Sequence, residues 1–217
     1  MPFDFLKRKG ADAASGGRGP SGEEPAGEVA MPFDALTDEW RIRGRIQARG
    51  RLSDALNRRA ETPISDVSWA PADGSKPFSP VPGLKSLDPY DLILVLVGPD
   101  SIPAMTEAEK AAHRVHKVAF DVAIEAPPYR VVGTLYLRPG ADPSGLMDRA
   151  TEMYVPVVGG VVSLGDREIV SDRPVDSVLV NRFAIRGIEQ IDLSTGMRPV
   201  KLPGQPLGGT TWQERSR

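Results

Sequence analysis

The chain has no cysteine, which removes structural disulfides, thiolate metal sites and cysteine nucleophiles together. Histidine is nearly as scarce. His113 and His116 stand three apart on a segment that reads as helix, so they share a face as a zinc pair would, yet no third ligand lies close in sequence. We read them as a solvated helix face and expect no metal site and no cofactor. Long hydrophobic runs are missing too. The longest aliphatic stretch, residues 92–97, falls far short of the roughly 20 residues that a spanning helix needs. The opening MPFDFLKRKG has its basic residues after its apolar ones and no apolar core of a secretory signal, so a cytoplasmic protein without a transmembrane segment is the expectation. Gly-x-Ser-x-Gly, a phosphate-binding Walker loop, His-Glu-x-x-His and a dinucleotide glycine fingerprint are all absent. No catalytic residue is nominated, and an enzyme is not the expected class.

What is present is glycine and proline, 22 and 21 of 217 residues, in a chain that is 40% hydrophobic with a formal net charge of −2. Such a composition favours turns and short strands over long helices in a globular protein. Residues 10–27 carry no large apolar side chain and read as a flexible linker, so 1–27 is taken as a flexible N-terminal segment. Within it, Phe3, Phe5 and Leu6 precede Lys7, Arg8 and Lys9, an apolar cluster with a basic end that suits a partner groove or an anionic membrane surface. A frayed terminus is the plainer reading. Residues 192–217 form a polar tail whose single large anchor is Trp212. Phe3, Phe5 and Trp212 are the candidate docking anchors.

Between the tails the chain reads against itself. EVAMPFDALTDEWRIRGRIQARG, residues 28–50, lines up with KVAFDVAIEAPPYRVVGTLYLRPG, residues 117–140. Trp40 falls on Tyr129, Arg41 on Arg130, Gly44 on Gly133 and Arg49 on Arg138. Leu56, Arg59 and Ala60 have counterparts in Leu146, Arg149 and Ala150, and VLVGPDSI at 95–102 matches VLVNRFAI at 178–185. We read two tandem, diverged copies of a small curled-sheet or barrel-like β domain, at 28–105 and 117–191, each with a short helix. A linker helix over 106–116 joins them, with Thr106 and Glu109 in capping-box spacing. Val118, Phe120, Val122 and Ile124 alternate with smaller or polar residues, which is the period of a half-buried strand. Ala126-Pro127-Pro128 then turns the chain into a return strand over 131–137. Gly50 and Ser53 predict a sharp turn and a helix cap ahead of an inward-facing Leu56. Gly159-Gly160 predicts a bulge, because no helix start follows to make a phosphate cradle.

The most distinctive stretch is WRIRGRIQARGRLSDALNRRA, residues 40–60. On a strand, alternate residues stand about 6.6 Å apart on one face, so Arg41, Arg43 and Arg45 form a row that Arg49 and Arg51 extend. Over 41–60 seven arginines meet one carboxylate, Asp54. Guanidinium forks suit phosphate and carboxylate oxygens, which makes the row a candidate polyanion or partner surface. Exposed like charges at that spacing repel by only about 0.6 kcal/mol in water, so a solvated face, or one covered by the chain's own acidic loops, also satisfies the pattern. At Arg43 and Arg45 the second copy has Val132 and Thr134, so the excess to be explained narrows to Arg43, Arg45 and Arg51.

GRLSDALN at 50–57 and VLVNRFAI at 178–185 resemble an uncharacterised family of small bacterial β domains that carry an Arg-Leu-Ser-Asp-x-Leu-Asn motif and a strand ending in Val-Asn, with a topology similar to the Sm-like small β-barrel. The two motifs lie in different copies, since the second copy has GADPSGLM in place of the first motif and the first copy has Gly98 where the other has Asn181. The resemblance implies a small β fold and no established activity. Two functional expectations follow. The first is a non-enzymatic protein-interaction or scaffold protein with a protein partner. The alternative is an Sm-like nucleic-acid binder that uses the arginine row.

Overall fold

Alternating side chains and closely spaced turn residues give twelve strands and one short α-helix in the computed structural model, which describes residues 29–101, 117–146 and 152–193. In the first half, β1 (Val29–Leu36) and β2 (Trp40–Ala48) form a hairpin, followed by α1 (Leu52–Asn57) and β3 (Thr62–Pro71). Two short strands, β4 (Ser79–Pro80) and β5 (Ser86–Leu87), precede β6 (Leu94–Val97). The second half has the hairpin β7 (Val118–Ala126) and β8 (Tyr129–Leu137), then β9 (Tyr154–Leu164), β10 (Arg167–Glu168), β11 (Ser177–Asn181) and β12 (Gly187–Gln190). The candidate anchors Phe3, Phe5 and Trp212, both histidines and the expected helix over 106–116 lie outside the described residues.

The protein is mainly β, and its strands make one antiparallel sheet in the order β12-β7-β8-β9-β11-β6-β1-β2-β3-β4, with β10 on β9 and β5 on β3. That sheet does not close. The expectation of two separate barrel-like units therefore gives way to a continuous sheet, and the strand order shows why. In the first half the returning strand β6 lies beside β1; in the second, β11 lies beside β9, and β12 takes the place beside β7. β6 and β11 then pair with each other, Leu96 opposite Val178 and Val95 opposite Leu179, and join the halves. A helix in each half was also expected. Among the described residues α1 is the one complete α-helix; in the second half a 3-10 turn, Pro143–Gly145, leads into Leu146, which is helical, and the rest of the expected helix, over 147–151, lies outside the described residues. Ser53 does not cap α1 as expected: Arg51 occupies the cap position without a side-chain hydrogen bond, and Ser53 lies inside the helix. Leu56 does face inward, and Gly50 adopts the left-handed φ of +79° that the turn requires.

The two hairpins share a register. Asp34 faces Arg43 in the first and Ala123 faces Val132 in the second, at positions that correspond along the sequence. Each hairpin meets its third strand through a bulge at the corresponding glycine. Pairing shifts between Arg43 and Arg45 around Gly44, and between Val132 and Thr134 around Gly133. Added side chains would not fit: a Cβ on Gly44 would approach the Ser65 carbonyl oxygen to 2.8 Å, and one on Gly133 would approach Val157 to 2.7 Å. The extra residue on the third strand takes left-handed backbone in both halves, Asp66 at φ +53° and Gly159 at φ +60°. The bulge expected at Gly159-Gly160 is therefore present, and Asp66 adopts the same conformation despite its Cβ.

Two apolar cores lie on opposite faces of the central strands. Val95 and Val97 of β6 join the first-half core with Phe33, Ile46 and Leu56, while Leu94 and Leu96 join the second-half core with Ile124, Val131 and Val157. β11 alternates in the same way, Leu179 to one core and Val178 and Val180 to the other. Strands buried on both faces read as continuous aliphatic runs, which explains residues 92–97 without a membrane. No helix among the described residues is long and apolar enough to cross one.

Polar ties fasten the halves across this centre. The Tyr129 hydroxyl donates to the Thr37 carbonyl at 2.5 Å, and the Tyr154 hydroxyl to the Pro89 carbonyl at 2.6 Å. Asn57 at the end of α1 accepts from the Tyr154 amide at 2.8 Å, and buried Asn181 donates to the Leu92 carbonyl at 2.8 Å. These asparagines end the two motifs, RLSDALN and VLVN, and both are structural bridges between halves. Burial pushes both phenols well above their ordinary pKa, with Asp38 adding to the effect at Tyr129 and Asp88 and Asp91 at Tyr154.

Candidate functional site

The arginine row lies on β2, with Ile42, Ile46 and Ala48 turned into the core from the opposite face. Its members separate by partner. Asp34, directly across the hairpin from Arg43, is a buried carboxylate with 12% of its side chain exposed. Arg41 reaches it diagonally and grips it in two-pronged fashion, Nε to Oδ1 at 2.8 Å and Nη2 to Oδ2 at 2.7 Å. The Arg43 Nε donates to the same Oδ2 at 3.0 Å. Charge-assisted bonds of this kind hold well only when every donor and acceptor is used, because a buried charge without a partner is costly.

The rest of each guanidinium is turned towards the second half. Arg41 donates from Nη1 to the Val170 carbonyl at 3.0 Å, and Arg43 pairs with Asp172 at 2.9 Å. Phe78, from the proline-rich loop after β3, stacks on Arg43 with the guanidinium carbon 4.2 Å from the ring centroid. The proline-rich loop after β3 and the segment after β10 thus meet on the arginine row. Asp172 is mostly exposed, so its pair with Arg43 contributes little compared with the buried contacts to Asp34.

Arg45 is different. It is exposed, and its one hydrogen bond runs from Nη2 to the Ala30 carbonyl at 2.6 Å, a neutral acceptor that leaves the positive charge uncompensated. Arg49 is exposed and Arg51 half-buried, past the end of β2, and each has an interaction of its own. The five arginines are therefore not one equivalent set: Arg41 and Arg43 are held on Asp34, and Arg45 faces a cleft. Among the described residues no group of three His, Asp or Glu side chains is placed to hold a metal ion.

No family model, curated protein or solved structure matches this chain. The site must be read from its own chemistry.

Two surface features were not singled out from the sequence. Trp40 and Trp69 stack with ring centroids 5.1 Å apart, both more than one-third exposed. Tyr90 from the first half and Phe183 from the second stack at 5.9 Å, each about half exposed, and the guanidinium carbons of Arg182 and Arg59 lie 4.9 Å and 5.9 Å from the Phe183 ring. Neither pair is adjacent in sequence. Trp40 and Trp69 come together through the β2–β3 pairing, and Tyr90 and Phe183 through the β6–β11 junction. A sequence signal did exist in aromatic residues at the ends of predicted strands, but the strand order needed to pair them was not legible.

Proposed function

We propose that this chain is a non-enzymatic interaction protein whose partner is another protein. The observation that supports this most is the Tyr90–Phe183 stack. Aromatic side chains that stay about half exposed, with arginines laid on their rings, have the composition of the energetic centre of protein interfaces, where tyrosine, tryptophan and arginine supply most of the binding energy. Two ring stacks also enter a complex already ordered, which lowers the entropic cost of association. Residues 1–27 and 192–217, with Phe3, Phe5 and Trp212, supply further anchors in this reading. The alternative, a nucleic-acid surface on Arg41, Arg43, Arg45, Arg49 and Arg51, has to contend with the commitment of the first two to Asp34.

The test is affinity capture from the native host with three proteins: the intact chain, Tyr90→Ala with Phe183→Ala, and Arg43→Ser with Arg45→Ser. A discrete partner retained by the first and third and lost by the second is the expected result. Single-stranded RNA or DNA binding that weakens with salt and disappears in the arginine variant would instead make the nucleic-acid reading correct.

A further inference from the structure

Behind the arginine row, a cleft of about 520 Å³ opens where the halves meet, walled by β1 and β2 on one side and by the 3-10 turn Pro99–Ser101 and the Ser171–Val175 segment on the others. Its volume lies in the range of small-molecule sites. Two guanidiniums line it, one from each half, Arg45 and Arg173. Arg45 spends one donor on a neutral carbonyl, and the Arg173 guanidinium makes no hydrogen bond or ion pair among the described residues. The carboxylate of Asp34, which also lines the cleft, is already held by Arg41 and Arg43. Asp100 is the other carboxylate on the wall, exposed and in no ion pair with a described residue.

We propose that this cleft binds a small carboxylate with an apolar body, its carboxylate held between Arg45 and Arg173. The charge balance selects the class. Arg45 and Arg173 against Asp100 leave about one net positive charge on the wall of the cleft, which complements a monoanion better than a polyphosphate. The geometry of guanidinium donors fits the two oxygens of a carboxylate. The apolar body has a place to go. Beside the cleft, and sharing Leu96, Ser171, Arg173 and Val175 with it, lies a second hollow of about 200 Å³ where Val161 and Ile169 supply apolar wall and Glu168 a carboxylate. Arg173 thus stands between the two spaces. Leu96, which lines both spaces, and Ile169 in the second offer apolar wall to a chain of several carbons attached to a carboxylate at the arginines. The inference is independent of the protein-partner reading, because none of these residues belongs to either aromatic stack.

The experiment is titration of the full chain with hexanoate, followed by the backbone amide resonances of Ser101, Ser171 and Val175, with hexyl phosphate and hexanol as parallel arms. Hexanoate shifts these amides saturably, hexanol does not, and hexyl phosphate binds more weakly. Arg45→Ser and Arg173→Ser each weaken hexanoate by about tenfold, the usual scale for one hydrogen bond to a charged group. Arg186→Ser, exposed and elsewhere on the surface, leaves binding unchanged. Because Arg45 and Arg173 are exposed, the variants keep the wild-type melting temperature, which separates lost binding from lost folding. Unmoved amides, wild-type hexanoate affinity in either the Arg45 or the Arg173 variant, or tighter binding of hexyl phosphate than of hexanoate would each overturn the assignment.

Discussion

The hairpins β1/β2 and β7/β8 have the same register and the same bulge, yet one carries a buried charge cluster where the other carries alanine and valine. Asp34 opposite Arg43 corresponds to Ala123 opposite Val132. Arg41, held on Asp34, corresponds to Arg130, which pairs on the surface with Glu125 at 3.2 Å. Arg45 corresponds to Thr134, which donates to Asp121 at 2.8 Å. The backbone geometry therefore does not need charges at the central positions. What differs is the cover. The first hairpin lies under Val170, Asp172 and Phe78, and its guanidiniums supply the contacts that hold those segments. The arginine row reads as a fastening between halves, with Arg45 at its margin turned to the cleft.

That contrast can be broken most forcefully at Asp34. Asp34→Ala leaves two guanidiniums side by side without their shared carboxylate, and a loss of about 3–5 kcal/mol is expected by chemical denaturation. Adding Arg43→Val, which recreates the alanine–valine pair of the second hairpin, recovers part of the loss. A double variant no more stable than the single one would mean that the second hairpin's solution does not transfer.

The shared bulge is tested next. Gly133→Ala places a methyl group against Val157 and the Gly160 backbone, 2.9 Å from its Cα, and is expected to cost about 1–3 kcal/mol. Gly44→Ala meets the Ser65 carbonyl and the Phe33 ring and costs a similar amount. A large effect at one glycine and none at the other would show that the two bulges are not equivalent.

The tyrosine ties give a pH dependence. Both phenols have folded-state pKa values raised above the ordinary value, so the stability they confer is fully present below about pH 10 and is lost as the unfolded chain ionises above it. Denaturation midpoints therefore fall steeply above that pH, and Tyr129→Phe makes the fall shallower. An unchanged alkaline slope in Tyr129→Phe would place the sensitivity elsewhere. The smallest effect is at Asp66, whose left-handed backbone matches that of Gly159. Asp66→Gly relieves that strain and is expected to raise stability by less than about 1 kcal/mol.

Local features were legible in the sequence because their causes are local. The alternation over 118–124 gave β7, Pro127-Pro128 gave its turn, Gly50 the sharp turn before α1, and Gly159 the bulge. The continuous sheet was not legible, because it depends on β11 choosing β9 and β6 as neighbours, and its aliphatic pattern suits any central position. The internal pairing of the arginine row was half legible. Covering acidic loops were among the readings, but Asp34 sits within an apolar run and declares itself only when antiparallel register sets it opposite Arg43. The cleft required both halves, since Arg45 and Arg173 are far apart in sequence and are brought together by the β6–β11 junction.

The claim that the row is architecture rests on the Asp34–Arg41 contact, and a double-mutant cycle with Asp34→Ala and Arg41→Ala measures it directly. A coupling energy of about 1 kcal/mol or more is predicted for a buried, two-pronged pair. Effects that add to within about 0.3 kcal/mol would contradict it and return Arg41 to the exposed set available to a ligand.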